Sequence, residues 1–247
     1  MKRAFLIGLG FAAVSGLQAV AADIPYKAPM APALVAAYNW TGFYVGVNGG
    51  YGWGKVTWLY TGFGTTADHK TSGGLFGGTL GAQMQTGQWV FGLEGDFDWA
   101  NIKGSTACPN PTFSCNSNLR TFGTVRGRVG YSPASSPNWL LYVTGGAAFG
   151  DQRIETVFLP GGSIPTSGTP TNGSNNFGLG WTFGGGVEWA FPAMSRWSVK
   201  LEYLHYNLGT HTYTVDNLLQ VSARHSGDII RAGINYRFGY DTVVARY

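Results

Sequence analysis

An all-β fold, an eight-stranded antiparallel up-and-down transmembrane β-barrel, is what this sequence predicts, and three observations predict it. Segments of alternating polarity recur along the 247 residues. The connectors between them alternate between short and long. Charged residues make up only 11% of the chain while aromatics make up 15%, against roughly 25% charged in soluble domains. So few charges cannot cover a water-facing surface. A mean hydropathy near zero is equally unlike a protein held by apolar helices. A barrel that alternates lipid-facing and lumen-facing residues reconciles the two.

The chain begins with export signals. Residues 1–22 read as a secretory signal peptide: Lys2 and Arg3 form its basic start, and Ala4 to Leu17 its apolar run. Ala19-Val20-Ala21, or the neighbouring Val20-Ala21-Ala22, forms its small-residue cleavage site. The apolar run is too short for a spanning helix. Residues 23–38 contain Pro25, Pro29 and Pro32 and read as an extended periplasmic segment. Residues 39–247 read as the outer-membrane barrel.

Strand one runs about Gly42 to Trp53, with Phe43, Val45, Val47, Tyr51 and Trp53 on one face. Strand two runs about Gly74 to Gln85, where Phe76, Leu80, Ala82 and Met84 alternate with Thr79, Gly81 and Gln83. Strand three, Trp89 to Trp99, has the cleanest alternation: Trp89, Phe91, Leu93, Phe97 and Trp99 against Glu94, Asp96 and Asp98. Strand four is Leu119 to Tyr131, and strand five is Trp139 to Phe149, whose two faces the pattern does not separate. Strand six runs about Phe177 to Phe191 and strand seven Trp197 to Asn207. Strand eight runs about Ile229 to Phe238, followed by a short extension, residues 239–247.

The connectors after strands two, four and six are short; those after strands one, three, five and seven are long and rich in Gly, Pro, Ser, Thr and Asn. Short periplasmic turns and long extracellular loops follow this rule in outer-membrane barrels. Aromatics at the strand ends, among them Trp53, Trp89, Trp99, Tyr131, Trp139, Trp189 and Trp197, suit the two membrane interfaces.

The polar faces carry a set of charges: acids Glu94, Asp96, Asp98, Glu188 and Glu202, and bases Arg120, Arg126, Arg128, Lys200, Arg231 and Arg237. Facing lipid, each mid-membrane Arg or Lys would cost roughly 2–4 kcal/mol. Facing inward, they can pair across strands, as buried charges must. The expectation is a lumen filled by a charge ladder, because eight strands leave an interior just wide enough for side chains. The alternative is a charged ion pathway.

Other classes are weaker. The formal charge is +4, of which Lys2 and Arg3 belong to the signal peptide. No basic stripe remains for nucleic acid. Cys108 and Cys115, in an exported chain, read as a loop-closing disulfide; a metal site would need further ligands. His69, His211 and His225 fall in the long loops and read as solvated, with metal or haemin binding as the alternative. His205 shares the lipid-facing parity near the outer rim. No serine or other hydroxyl beside an oriented base is visible, so no enzyme is expected.

The runs NWTGFYVGVNGGYGWG (39–54), FGLEGDFDW (91–99), TVRGRVGY (124–131), LLYVTGGAAFG (140–150), GWTFGGGVEWAF (180–191), VKLEYLHYNLG (199–209) and IRAGINYRF (230–238) together resemble the small outer-membrane β-barrel family. This is the OmpA-like, opacity-protein-like group, and the resemblance is to its alphaproteobacterial porin-family branch. It implies localisation in the outer membrane of a Gram-negative envelope. The implied role is mainly structural and surface-exposed, with lipid or lipopolysaccharide and the barrel-assembly machinery as partners and no cofactor. Some relatives bind haemin through loops, so a narrow porin-like channel or a loop-based haemin receptor is the alternative. The family commonly ends on the aromatic of its last strand, here Phe238. This chain continues to Tyr247, so either aromatic fits the assembly signal.

Overall fold

The structure is a computed structural model; it describes residues 38–60, 66–108, 113–158, 174–192, 196–215 and 219–238. The expected signal peptide, the segment before Tyr38 and the extension after Phe238 lie outside the described residues. Eight strands form one closed antiparallel barrel in chain order: β1 (Gly42–Tyr60), β2 (Thr66–Thr86), β3 (Trp89–Ala107), β4 (Phe113–Tyr131), β5 (Trp139–Phe158), β6 (Ser174–Ala190), β7 (Trp197–Val215) and β8 (Leu219–Phe238). The ladder closes where β1 pairs with β8 from Phe43↔Phe238 to Tyr60↔Val221, leaving no sheet edge for other chains to pair with.

The register fixes the tilt. Following ladder partners from Gly42 through Gln83, Gly92, Arg128, Thr144, Gly184, Leu204 and Ile229 returns to β1 at Gly52, ten residues further on. A stagger of ten over eight strands corresponds to a tilt of about 40°. Trp89 and Trp99, ten residues apart on β3, are then separated by about 25 Å along the barrel axis, the height of an outer-membrane apolar band.

The outer wall between those levels is apolar and open: Phe43, Val47, Phe76, Leu80, Leu93, Val125, Val143 and Leu179 are all at least 60% exposed. In water such a surface would aggregate; in hydrocarbon it is the required exterior. Aromatic pairs mark both rims. Trp89–Tyr131 and Trp197–Tyr236 ring the periplasmic side, and Phe76–Trp99 and Phe149–Phe177 ring the other.

The strands are longer than the sequence pattern indicates, 17 to 21 residues each. Their outer halves continue the ladder above the girdle and take up much of what reads as loop. There the outward positions meet water, so no apolar alternation is required of them, and the membrane-spanning segments are only the portions between the girdles. In β5 the structure separates the two faces: Leu141 and Val143 point outward, while Leu140, Tyr142, Thr144 and Ala148 are buried inside.

Candidate functional site: the ion network of the lumen

Ten of the eleven ladder residues converge inside the barrel. Glu94, Asp96, Asp98, Glu188 and Glu202 meet Arg126, Arg128, Lys200, Arg231 and Arg237, and all ten are buried. Five carboxylates thus balance five cations. Three acid–base positions face each other on the ladder: Glu94 opposite Arg126, Glu202 opposite Arg231 and Glu188 opposite Lys200, whose ammonium reaches Glu94 instead.

The strongest cross-links span the lumen. Arg126 reaches Glu94 (2.5 Å) and Asp96 (2.9 Å) on β3 and Glu202 (3.0 Å) on β7. Arg231 holds Asp96 (2.9 Å), Asp98 (3.0 Å) and Glu202 (2.7 Å). Lys200 bonds Glu94 at 3.0 Å. Nearer the periplasm, Arg128 reaches Glu188 at 2.5 Å and Glu94 at 3.6 Å, joining the two clusters. Neutral donors complete the carboxylates: the Tyr44 and Tyr142 hydroxyls donate to Glu94 and Glu202, Thr124 to Asp96, and Ser198 and Asn235 to Glu188. Arg128 also lies over the Tyr142 ring, 3.5 Å from its centroid. Partners at this density offset much of the hydration that these charges lose on burial, although Asp98 Oδ1 and Arg128 Nε accept or donate no hydrogen bond among the described residues.

Glycines make the space. A Cβ on Gly50 would sit 2.6 Å from the Arg231 Cβ and 2.3 Å from the Ile230 carbonyl oxygen. One on Gly146 would sit 2.7 Å from the Arg126 Cα and 2.1 Å from the Val125 carbonyl oxygen. The bulkiest lumen groups therefore stand beside positions that tolerate no side chain.

Apolar layers close the lumen on either side of the network. Toward the periplasm, Trp40, Val90, Leu140, Tyr142 and Ala190 pack together. Trp40 is pinned by its indole N–H to the Pro137 carbonyl (3.0 Å) and by its backbone N–H to Gln85 (2.8 Å), and Arg237 caps its ring. On the outer side Leu75, Ile102, Leu119, Phe122, Ala148, Leu204, Tyr206, Leu208 and Ile229 form a second layer. Val56, Trp58, Ile154, Tyr213, Val221 and Ala223 form a third above it, with the disulfide Cys108–Cys115.

Arg120 is the exception and corrects the ladder expectation. A β-bulge between Leu119 and Thr121 inserts one residue into β4, which reverses parity above it. Leu119 takes the inward place and Arg120 is exposed on the outer wall. The histidines also differ from the loop reading. His69 and His225 are buried inside β2 and β8, one on each side of Val56, above the outer girdle. His211 lies on β7 and contacts the Leu208 carbonyl at 2.9 Å. His205 faces outward at the rim, 2.8 Å from Asp228, which also accepts from Tyr203. Among the described residues no group of three or more His, Cys, Asp or Glu could hold a metal ion.

A closed barrel with an apolar exterior, two aromatic rims and a charge-filled lumen defines an integral outer-membrane protein. The chain belongs to the outer membrane protein beta-barrel domain family, whose profile matches residues 9–238. It is 31% identical to the 31 kDa outer-membrane immunogenic protein of Brucella melitensis, over 96% of this chain and 100% of that one. It is 30% identical to the 25 kDa outer-membrane immunogenic protein of Brucella canis, over 89% and 91%. Among solved structures it is similar to Neisserial surface protein A (14% identity, 80% of this chain and 98% of that one, TM-score 0.37). It is likewise similar to OprG of Pseudomonas aeruginosa (10%, 83% and 99%, TM-score 0.49). The protein is located in the cell outer membrane.

Proposed function

We propose that this protein is a structural and surface element of the outer membrane, with neither a diffusion pathway nor a catalytic role. The observation that carries this reading is the lumen itself. A solute would have to cross the Trp40 layer, a neutral network of ten mutually bonded charges and two further apolar layers. Its Brucella relatives are named outer-membrane immunogenic proteins, which supports a surface role for the strand ends above the outer girdle. Planar-bilayer recording tests the reading. The purified barrel should give no stepwise conductance, whereas a variant with Trp40, Phe122 and Trp58 all replaced by Gly, one from each apolar layer, should begin to flicker. Steady ohmic steps from the unaltered protein would refute the plugged lumen and favour the channel alternative.

A further inference from the structure

The outer wall above the girdle carries cations that the lumen does not use. Lys70 on β2, Lys103 on β3 and Arg120 on β4 are exposed and point outward, and none has an ion pair among the described residues. Their neighbours differ: Lys55 is paired with Asp68 and Arg153 with Glu155. Above Trp99, neither β3 nor β4 has an acidic residue in its described part.

The three form a row. Lys103 pairs in register with Ser72 and with Asn118. Lys70 stands two residues above Ser72, and Arg120 two residues below Asn118. Diagonal neighbours of this kind lie about 7–8 Å apart. The hydrogen-bonding direction climbs outward by ten residues per circuit, as the register shows, so a row that steps down the register from strand to strand runs nearly level with the membrane. Lys103 is four residues above Trp99, about 10 Å higher at the barrel tilt. That is the headgroup level of the outer leaflet.

Two grooves lie along this part of the wall, and Lys103 and Arg120 line the upper one. The upper one, about 610 Å³, sets the neutral donors Ser105, Asn116 and Asn118 and the mutually paired Arg153 and Glu155 of β5 beside Lys103 and Arg120, which leaves it a net positive charge. The lower one, about 550 Å³, is an apolar furrow in the membrane zone, floored by Gly78 and Gly95 and walled by Leu80, Phe97, Trp99 and Val125. Between them lies the stacked Phe76–Trp99 pair, with centroids 5.5 Å apart. A polar, cationic groove directly over an apolar furrow fits one molecule with an anionic head and an acyl chain.

We propose that β2–β4 form a binding site for a phosphorylated glycolipid of the outer leaflet. Its phosphate lies on Lys70, Lys103 and Arg120, and an acyl chain lies over Gly78 and Gly95. Charge-assisted bonds to phosphate give the head its affinity, and the furrow selects a lipid over a free anion. The inference rests on the outer-membrane location and is independent of whether the barrel conducts.

Native mass spectrometry of the detergent-folded protein tests it, with bisphosphorylated lipid A, dephosphorylated lipid A and inorganic phosphate as probes. The bisphosphorylated lipid should bind about tenfold or more tighter than the dephosphorylated one, a difference of about 1.4 kcal/mol, and inorganic phosphate should give no stable adduct. The K70Q/K103Q/R120Q variant, and K103Q alone to a lesser degree, should lose that preference. R224Q, which removes an exposed cation on β8 that lines neither groove, should keep it. Both sets lie outside the membrane, and folding is scored by gel mobility before titration. Equal binding of the two lipids, wild-type binding by folded K70Q/K103Q/R120Q, or phosphate adducts as stable as lipid adducts would each overturn the proposal.

Discussion

Replacing Arg126 with Met keeps an unbranched apolar stem and removes the guanidinium with its charge, and the consequence can be worked from its partners. Arg126 holds Glu94, Asp96 and Glu202 at 3.0 Å or less. None of the three is orphaned by its loss. Glu94 keeps Lys200 and Tyr44, Asp96 keeps Arg231 and Thr124, and Glu202 keeps Arg231 and Tyr142. What is left is one uncompensated negative charge between two apolar layers. Breaking a buried pair costs about 3–5 kcal/mol, and the surviving partners put this case near about 3 kcal/mol. Arg237→Met should cost somewhat less, about 2 kcal/mol, because its carboxylate contact is long, 3.6 Å to Glu188, and its other bonds are to the neutral Trp40 carbonyl and Tyr38 hydroxyl. The double variant R126M/E202M restores neutrality and should lose clearly less than the sum of its two single variants, with a coupling of about 1–3 kcal/mol. Equilibrium unfolding in urea, in phospholipid vesicles and followed by tryptophan fluorescence, gives the values. If R126M lies within about 1 kcal/mol of the parent, or the double variant is simply additive, the lumen charges are solvated individually and the network described here does not hold.

Two further predictions concern the same interior. Gly50→Ala and Gly146→Ala should each block folding to the heat-modifiable form on gels, since their Cβ atoms would overlap backbone at 2.3 and 2.1 Å. Gly78→Ala, whose nearest neighbour would be at 3.8 Å, should fold normally; equal behaviour of all three would refute the packing argument. His225 lies above the girdle, outside the spanning segments. Burial, aided by His69 and His211, pushes its pKa down to about 3, and burial lowers that of His69 too. A histidine held below its unfolded value of about 6.5 binds its proton more readily when unfolded. Local stability should therefore be flat above about pH 6.5 and fall as the pH drops toward 3. Hydrogen exchange at the outer ends of β2 and β8 should accelerate with acid in the parent and much less in H225L; an unchanged acid response in H225L would remove the histidine from the account.

The membrane zone was legible because two solvents act on its two faces. Hydrocarbon outside and paired charge inside impose a period of two, so strand three could be read residue by residue, and Glu94 and Arg126 fell on facing strands. The outer halves of the strands were not legible. With water outside and a mixed interior, a stretch such as Ser114 to Asn118 carries no alternation, yet its backbone is fully laddered to β3 and β5. The bulge that displaced Arg120 left a trace that parity alone does not weigh. Leu119 and Phe122 are both buried inside, and an interval of three cannot keep one face without an extra residue. The same interval separates Leu208 from His211, where the register shifts between Asn207 and Thr210 and Gly209 takes a positive φ of 76°. Cross-lumen pairs such as Lys200–Glu94 were beyond reach, because they depend on barrel closure and not on neighbouring strands.

With Arg120 outside, the lumen holds equal numbers of acids and bases, and this bears on why it is charged at all. A buried network is weak evidence for stability, since apolar side chains of similar volume often serve as well. Its effect on register is larger. Sliding the chain by one residue would turn Arg126, Arg128, Lys200, Arg231 and Arg237 toward lipid together, at a cost of order 10 kcal/mol. An apolar lumen facing an apolar membrane would carry no such penalty, because both faces would suit either solvent. Charge inside is what makes the two faces of every strand unequal. The apolar layers above and below then keep water from relieving that inequality, so a single register is selected with the ends of the lumen shut. On this argument the closure that excludes solutes and the charges that resemble a pathway are parts of one device for specifying the barrel.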